Sequence, residues 1–286
     1  MIDMKNAQRA EVLVQALPYI QKYAGKIVVI KFGGSAMISQ NLCGAVMGDI
    51  TLLTQVGVRV VLVHGGGPEI NEMLGRVDKK SEFVNGLRVT DAETMEIAQM
   101  VLCGKINKNL VAQFHLHGGK AIGLCGADGH MLEVVPKDPA LGYVGEITRV
   151  NPKVILDALD AGYIPVISTI GCDAQGSTYN INADTAAAAI AAALGAESLI
   201  ALTDIAGILR DKDDDSTLIS RIYLDEAPSL VEEGIISGGM IPKVECSCKA
   251  VENGVRRVFI IDGRVKHSIL IELLTDEGMG TMFRLR

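Results

Sequence analysis

Ile27-Val28-Val29-Ile30-Lys31-Phe32-Gly33-Gly34 decides the fold. Four β-branched residues with no polar break read as a strand buried on both faces, and the paired glycines read as its exit into a helix. The same pattern recurs along the chain. Val60-Val61-Leu62-Val63 runs into His64-Gly65-Gly66-Gly67, Ile164-Pro165-Val166-Ile167 ends near Gly171, and Leu199-Ile200-Ala201-Leu202 leads to Thr203-Asp204-Ile205-Ala206-Gly207. Val258-Phe259-Ile260-Ile261 then leads to Asp262-Gly263. Apolar strands alternating with helical stretches predict an α/β protein with a mainly parallel central sheet covered on both sides, a three-layer α-β-α sandwich.

Outside these units, Ala10, Leu13, Val14, Leu17 and Ile20 recur at helical spacing. Pro18 is expected to kink or divide that helix and Gly25 to stop it. From about 118 to 150, glycines punctuate short β-prone runs such as Met131 to Val135, which predicts an antiparallel patch at the edge of the first half. The Gly-Ser-Asp-Gln-rich stretch from Gly171 to Tyr179 reads as a domain boundary, dividing 1–175 from a smaller α/β unit over 176–286.

The bulk composition narrows the function. With 286 residues, 49% hydrophobic and 21% charged, the chain is long and apolar enough for a buried core. A net charge of −7 with scattered Lys and Arg argues against nucleic acid. The longest apolar run, Thr185 to Ala196, is too short to span a bilayer, and Met1-Ile2-Asp3-Met4-Lys5 begins no secretory signal. The expectation is a soluble cytoplasmic protein. The six cysteines lack metal-site spacing and read as reduced thiols, so no metal site is expected from them.

The chemistry-bearing residues cluster at strand ends. Backbone N–H groups and the helix dipole there favour an anion, and glycine lets phosphate oxygens approach closely. Gly33-Gly34, next to Lys31, and Gly65-Gly66-Gly67 both have this context, although neither is a Walker A loop or a dinucleotide fingerprint. Asn85-Gly86 suits a hairpin turn, and Arg88 on its returning strand offers a planar fork for a carboxylate, although an exposed hairpin arginine needs no ligand. Asp184 reads as the N-cap of the alanine-rich helix, and could also orient lysines or hold Mg²⁺ through water. Pro242 suits a first helical position, which puts Lys243 in a first turn, against the dipole unless an anion is near. His64 has no histidine or cysteine cluster to support a nucleophilic or metal role and reads as shaping the backbone.

Together, Lys31-Phe32-Gly33-Gly34, His64-Gly65-Gly66-Gly67, Asn85-Gly86-Leu87-Arg88-Val89-Thr90, Asn180-Ile181-Asn182-Ala183-Asp184 and Gly239-Met240-Ile241-Pro242-Lys243 resemble the amino acid kinase family. The hairpin and the Asn-x-Asn-Ala-Asp segment resemble its branch acting on N-acetyl-L-glutamate. The resemblance runs from Ile27 to the C-terminus. It implies ATP with Mg²⁺, and phosphorylation of the acetylglutamate side-chain carboxylate in arginine biosynthesis.

By that resemblance, Lys31, Lys243 and Asp184 are catalytic, the two lysines stabilising the phosphoryl group and Asp184 orienting them. Gly66, Gly67, Arg88 and Asn180 bind acetylglutamate, while Gly33, Gly34, Thr203, Asp204 and Gly207 bind the nucleotide. The first domain would carry acetylglutamate and dimerisation, and the second ATP. Some members have a lysine run where Phe83-Val84 stand here; Lys79 and Lys80 are out of register for that role. The N-terminal amphipathic segment resembles the helix of arginine-inhibited hexameric members, which implies arginine as inhibitor, a dimer or hexamer, and Lys266, His267, Glu277 and Gly278 as the other wall of the pocket. A kinase for another acylated amino acid, such as acetyl-aminoadipate, and a non-catalytic arginine sensor are the rival readings.

Overall fold

The computed structural model describes residues 5–34, 37 and 39–286. Its centre is an eight-stranded sheet formed, in chain order, by β1 (Ile27–Phe32), β2 (Arg59–His64), β5 (Ala121–Cys125), β8 (Ile164–Ser168), β11 (Ser198–Thr203), β12 (Arg221–Tyr223), β13 (Arg257–Asp262) and β14 (Thr281–Arg284). The spatial order is β12-β14-β13-β11-β1-β2-β8-β5. All neighbours from β13 to β5 run parallel, and β14 turns antiparallel to β13. The parallel, doubly covered sheet read from the apolar runs is therefore present.

Strand alternation assigns each residue to a face. Val28, Ile30 and Phe32 enter one buried cluster, whereas Val29 enters the other. Lys31 alternates onto the side of Val29. That side is covered by α7 (Ala183–Ala193), whose Ala186, Ala187, Ala188, Ile190 and Ala191 are buried in the same cluster. Small side chains let this helix lie close to the sheet, and its start reaches the carboxyl end of β1.

Elsewhere the structure departs from the sequence expectations in instructive ways. α1 (Asn6–Tyr23) runs unbroken through Pro18. Proline there removes a single backbone donor, and the neighbouring turns keep theirs. The helix ends at Tyr23, and Gly25 takes φ +74°.

The 118–150 stretch divides in two. β5 is a parallel edge strand of the main sheet, while β6 (Leu132–Pro136) and β7 (Gly145–Val150) are the antiparallel pair. They belong to a second, four-stranded sheet of order β10-β9-β6-β7, with β9 (Ile170–Cys172) and β10 (Thr178–Asn180). The polar stretch expected as a boundary is the turn of the β9–β10 hairpin, tied by Asp173 Oδ1 accepting from the backbone N–H groups of Gln175 and Ser177, both at 2.9 Å. A division at 175/176 would split that hairpin. The chain leaves this sheet only after Asn180.

Candidate active site

Four segments converge where β1 and β2 end. Gly33 and Gly34 follow β1. Gly65 and Gly66 follow β2 and lead into α3 (Gly67–Arg76). The hairpin β3 (Phe83–Val84) and β4 (Leu87–Arg88) forms one wall, and the run from Asn180 to Asp184 the other. Between them is a cavity of 290 Å³ lined by Lys31, Gly33, Gly34, Gly66, Gly67, Arg88, Asn180 and Asp184 among others.

Lys31 Nζ lies 2.9 Å from Asp184 Oδ1, and Lys243 Nζ lies 2.8 Å from Asp184 Oδ2. One carboxylate therefore holds two cations at the cavity mouth. Burial alone would push the Asp184 carboxyl up, but the lysines outweigh it and hold the group below its usual range. The expected N-cap role falls to Asn182, whose Oδ1 accepts from Asp184 N at 3.0 Å and Thr185 N at 3.1 Å. Capping by Asn182 leaves the Asp184 side chain for the lysines. Lys243 stands in the first turn of α9 (Met240–Glu252), with Pro242 at the third helical position rather than the first.

Arg88 is buried, not the exposed hairpin residue that was its alternative. Its guanidinium donates to Asn71 Oδ1 at 2.6 Å, to Ser81 Oγ, and to Gly67 O at 3.1 Å. It also lies 4.7 Å over the Phe83 ring. Phe83, standing where some family members have lysine, thus braces the arginine. Burial lowers the Arg88 pKa from its ordinary value. Thr90 joins the two walls: its hydroxyl donates to Arg88 O at 2.9 Å and accepts from Asn180 Nδ2 at 3.4 Å. Asn71 and Ser81 carry no sequence pattern that marks them, because their partner Arg88 is distant in the chain, whereas Thr90 closes the quoted hairpin segment without its two bonds being legible there.

Among these glycines only Gly66 is needed for space. A Cβ on Gly33 would lie 3.4 Å from Lys31 Nζ, and one on Gly66 would strike Ile106 and come within 2.8 Å of Leu102.

The expected nucleotide loop behaves differently. The Thr203 hydroxyl is spent on Ile205 O at 3.0 Å and Ile261 O at 3.2 Å, and Gly207, at φ +149°, packs where a Cβ would be 2.7 Å from Leu218 and Thr281. Asp204 is exposed. None of these three lines the cavity. Beside them, Asp262 at the end of β13 accepts from Arg264 Nε at 2.9 Å and Nη2 at 2.8 Å, a pair the sequence did not mark.

The four residues expected for an inhibitor pocket flank one short helix, two before it and two after it. Glu277 and Gly278 lie in the loop after α10 (Ser268–Leu274), whose Asp276 carboxylate stands near Tyr19 of α1 and pushes its pKa up. Lys266 is exposed, and His267 turns toward α2 (Gln40–Gln55), pairing with buried Asp49 at 2.6 Å.

The profile of the amino acid kinase family matches residues 26–262. The chain belongs to the amino acid kinase family. Acetylglutamate kinase of Clostridioides difficile (strain 630) is 55% identical over 282 residues, 98% of this chain and 99% of that relative. The solved N-acetylglutamate synthase from Neisseria gonorrhoeae, complexed with coenzyme A and N-acetyl-glutamate, superposes with TM-score 0.86 at 29% identity. That match covers 97% of this kinase-family chain, which spans 63% of the synthase chain. The same synthase complexed with coenzyme A and L-arginine gives TM-score 0.82 at 27% identity, covering 97% and 65% of the two chains.

Proposed function

We propose that this chain transfers the γ-phosphoryl group of ATP to the side-chain carboxylate of N-acetyl-L-glutamate, forming an acyl phosphate in arginine biosynthesis. The observation that carries this reading is the Lys31–Asp184–Lys243 bridge at the mouth of a cavity walled by Arg88 and Asn180. Full-length similarity to acetylglutamate kinases supports it.

The accepting carboxylate is already ionised near neutrality, so no general base is needed. The difficulty is bringing two anions together and stabilising charge on the phosphoryl oxygens. Lys31 and Lys243 face that charge, and Asp184 fixes their spacing. Gly33 and Gly34 give N–H groups to the phosphates. Gly66, Gly67, Arg88 and Asn180 hold acetylglutamate, with the remaining Arg88 donors directed to its α-carboxylate.

Among the described residues no cluster of three or more His, Cys, Asp or Glu stands ready for a metal. Mg²⁺ belongs in this reading with the ATP phosphates, where it would offset their charge. Thr203 and Gly207 shape the nucleotide loop, and Asp204 is its exposed polar group. The run through Asn180 and Ile181 serves acetylglutamate and the remainder ATP.

A hydroxylamine trap tests the reaction. ATP with N-acetyl-L-glutamate should yield a hydroxamate, whereas acetyl-aminoadipate and free glutamate should yield far less. A hydroxamate formed preferentially from acetyl-aminoadipate would replace the substrate, and none from any acid would remove the activity. Arginine is the proposed inhibitor, bound between α1 and the Thr275–Gly278 loop, and its addition should suppress the trap signal.

A further inference from the structure

His64 is fully buried beside the candidate site, yet no step of the proposed reaction uses it. Its ring is bracketed by two groups of opposite demand. Nδ1 faces the carbonyl oxygen of Gly65 at 2.9 Å, and Nε2 faces the side-chain amide nitrogen of Asn107 at 3.2 Å. A carbonyl oxygen only accepts, so the proton must be on Nδ1. The Asn107 nitrogen also lies 2.8 Å from Val166 O and 3.2 Å from Leu124 O, while its Oδ1 accepts from Lys108 Nζ at 3.1 Å. Those partners fix the amide with its NH₂ group toward the ring, where its two hydrogens are shared among Val166 O, Leu124 O and an Nε2 that can only accept. Burial, with Lys108 nearby and against the Gly65 hydrogen bond, lowers the His64 pKa to about 4, and the ring is neutral near pH 7.

We infer that His64 and Asn107 are positioning residues that lock one imidazole tautomer, and that the Nδ1–H so fixed sets the Gly65 carbonyl and, through the shared peptide plane, the aim of the Gly66 N–H, while the Gly65 N–H is held by Phe32 O at 3.0 Å. The lock reaches across the fold. Asn107 opens α5 (Asn107–Leu116) and ties it to Leu124 of β5 and Val166 in the middle of β8, while His64 ends β2. The segment just before Asn107 packs Leu102 and Ile106 against the far side of Gly66. The loop is therefore held by hydrogen bonds at Gly65 and by side-chain packing at Gly66. Asn107, which fixes the ring, and the side chains against Gly66 come from one continuous helical segment.

The inference rests on the acetylglutamate reading only for which substrate senses the loop. The test has two arms. In ¹⁵N-histidine-labelled protein, long-range ¹H–¹⁵N correlation should show the His64 proton on Nδ1; a proton on Nε2 would overturn the lock. In the hydroxamate assay, H64L should raise KM for N-acetyl-L-glutamate by about tenfold with KM for ATP changed less than about twofold, the scale of one lost buried hydrogen bond. H64N, whose amide nitrogen replaces Nδ1, should recover most of that loss. Recovery by H64N no better than H64L, or equal changes in both KM values, would overturn the positioning role. Should H64L fail to fold, H64N and the tautomer still decide. A wild-type protein that forms no hydroxamate would sink the substrate reading, whereas the tautomer measurement stands apart from it.

Discussion

Asp184 has two carboxylate oxygens, and a different lysine takes each. Replacing it with asparagine keeps the shape and leaves two ammonium groups sharing one site without their anion. D184N should therefore lower kcat by about 100-fold or more, the scale of losing one preorganised electrostatic element, in the steady-state trap assay. Its stability effect has a definite sign. The folded pKa lies below the unfolded one, so the carboxylate's contribution is fully present at neutral pH and is lost as pH falls through the folded value. The wild-type advantage over D184N in urea melts should shrink below about pH 3.9; an advantage that grew in acid would contradict the ion-pair geometry. Arg88 makes a different prediction. Its fork is shared among Asn71, Ser81 and Gly67 and stacked on Phe83, so R88K loses planarity as well as donors. KM for acetylglutamate should rise about tenfold or more, with kcat changing less; an unchanged KM would take Arg88 out of the substrate wall.

At the scale of elements, the helix from α4 (Ala92–Gln99) into α5 passes through a π-helical stretch, Met100–Ile106. The wider turn places Leu102 and Ile106 against Gly66. G66A would force its methyl into that packing, and overpacking of this kind costs about 1–3 kcal/mol. Thermal melts should show that loss, and I106A should restore part of it in the double variant; additive losses would show that the two positions do not share space. This contact also marks how far the sequence could be read. Buried apolar runs ending in glycine reveal parallel strands because burial and turn chemistry are local. Lys31 and Asp184 stand in legible local patterns, yet their meeting depends on the closeness of an alanine-rich helix to β1. Asn107, Ser81 and Asn71 were invisible because nothing near them in the chain distinguishes them from ordinary polar residues. The π turn was equally hidden, since a widened turn within a helix has no residue pattern of its own, and Gly104 inside it reads only as a weak helix former. Asp184 looked like a cap because it sits two residues inside a helix that Asn182 caps.

At the scale of the whole molecule, α1 carries an apolar face that its own chain leaves uncovered. Val12, Leu13, Val14 and Leu17 are 53%, 72%, 64% and 49% exposed, a concentration of apolar surface unlike the buried helices of the body. Among the described residues, the helix is anchored at its C-terminal end, by buried Tyr23 with Arg257 donating to its hydroxyl at 3.4 Å and by Tyr19 near Asp276. Burial of this kind is worth about 25 cal/mol per Å² of apolar area, enough for such a helix to gain by packing on another copy. The pocket-lining residues all lie after β1 begins, and none belongs to α1. Deleting residues up to Pro18 keeps both tyrosines and should reduce the molar mass measured by light scattering to a smaller assembly. The trap signal per active site should stay within about twofold, because the deletion leaves the Lys31–Asp184–Lys243 bridge in place. Arginine inhibition should weaken at the same time, since the deleted turns form one side of the proposed inhibitor pocket. An unchanged mass would show that the exposed face of α1 is not an interface between copies, and full inhibition by arginine in the truncated chain would move the inhibitor away from this helix.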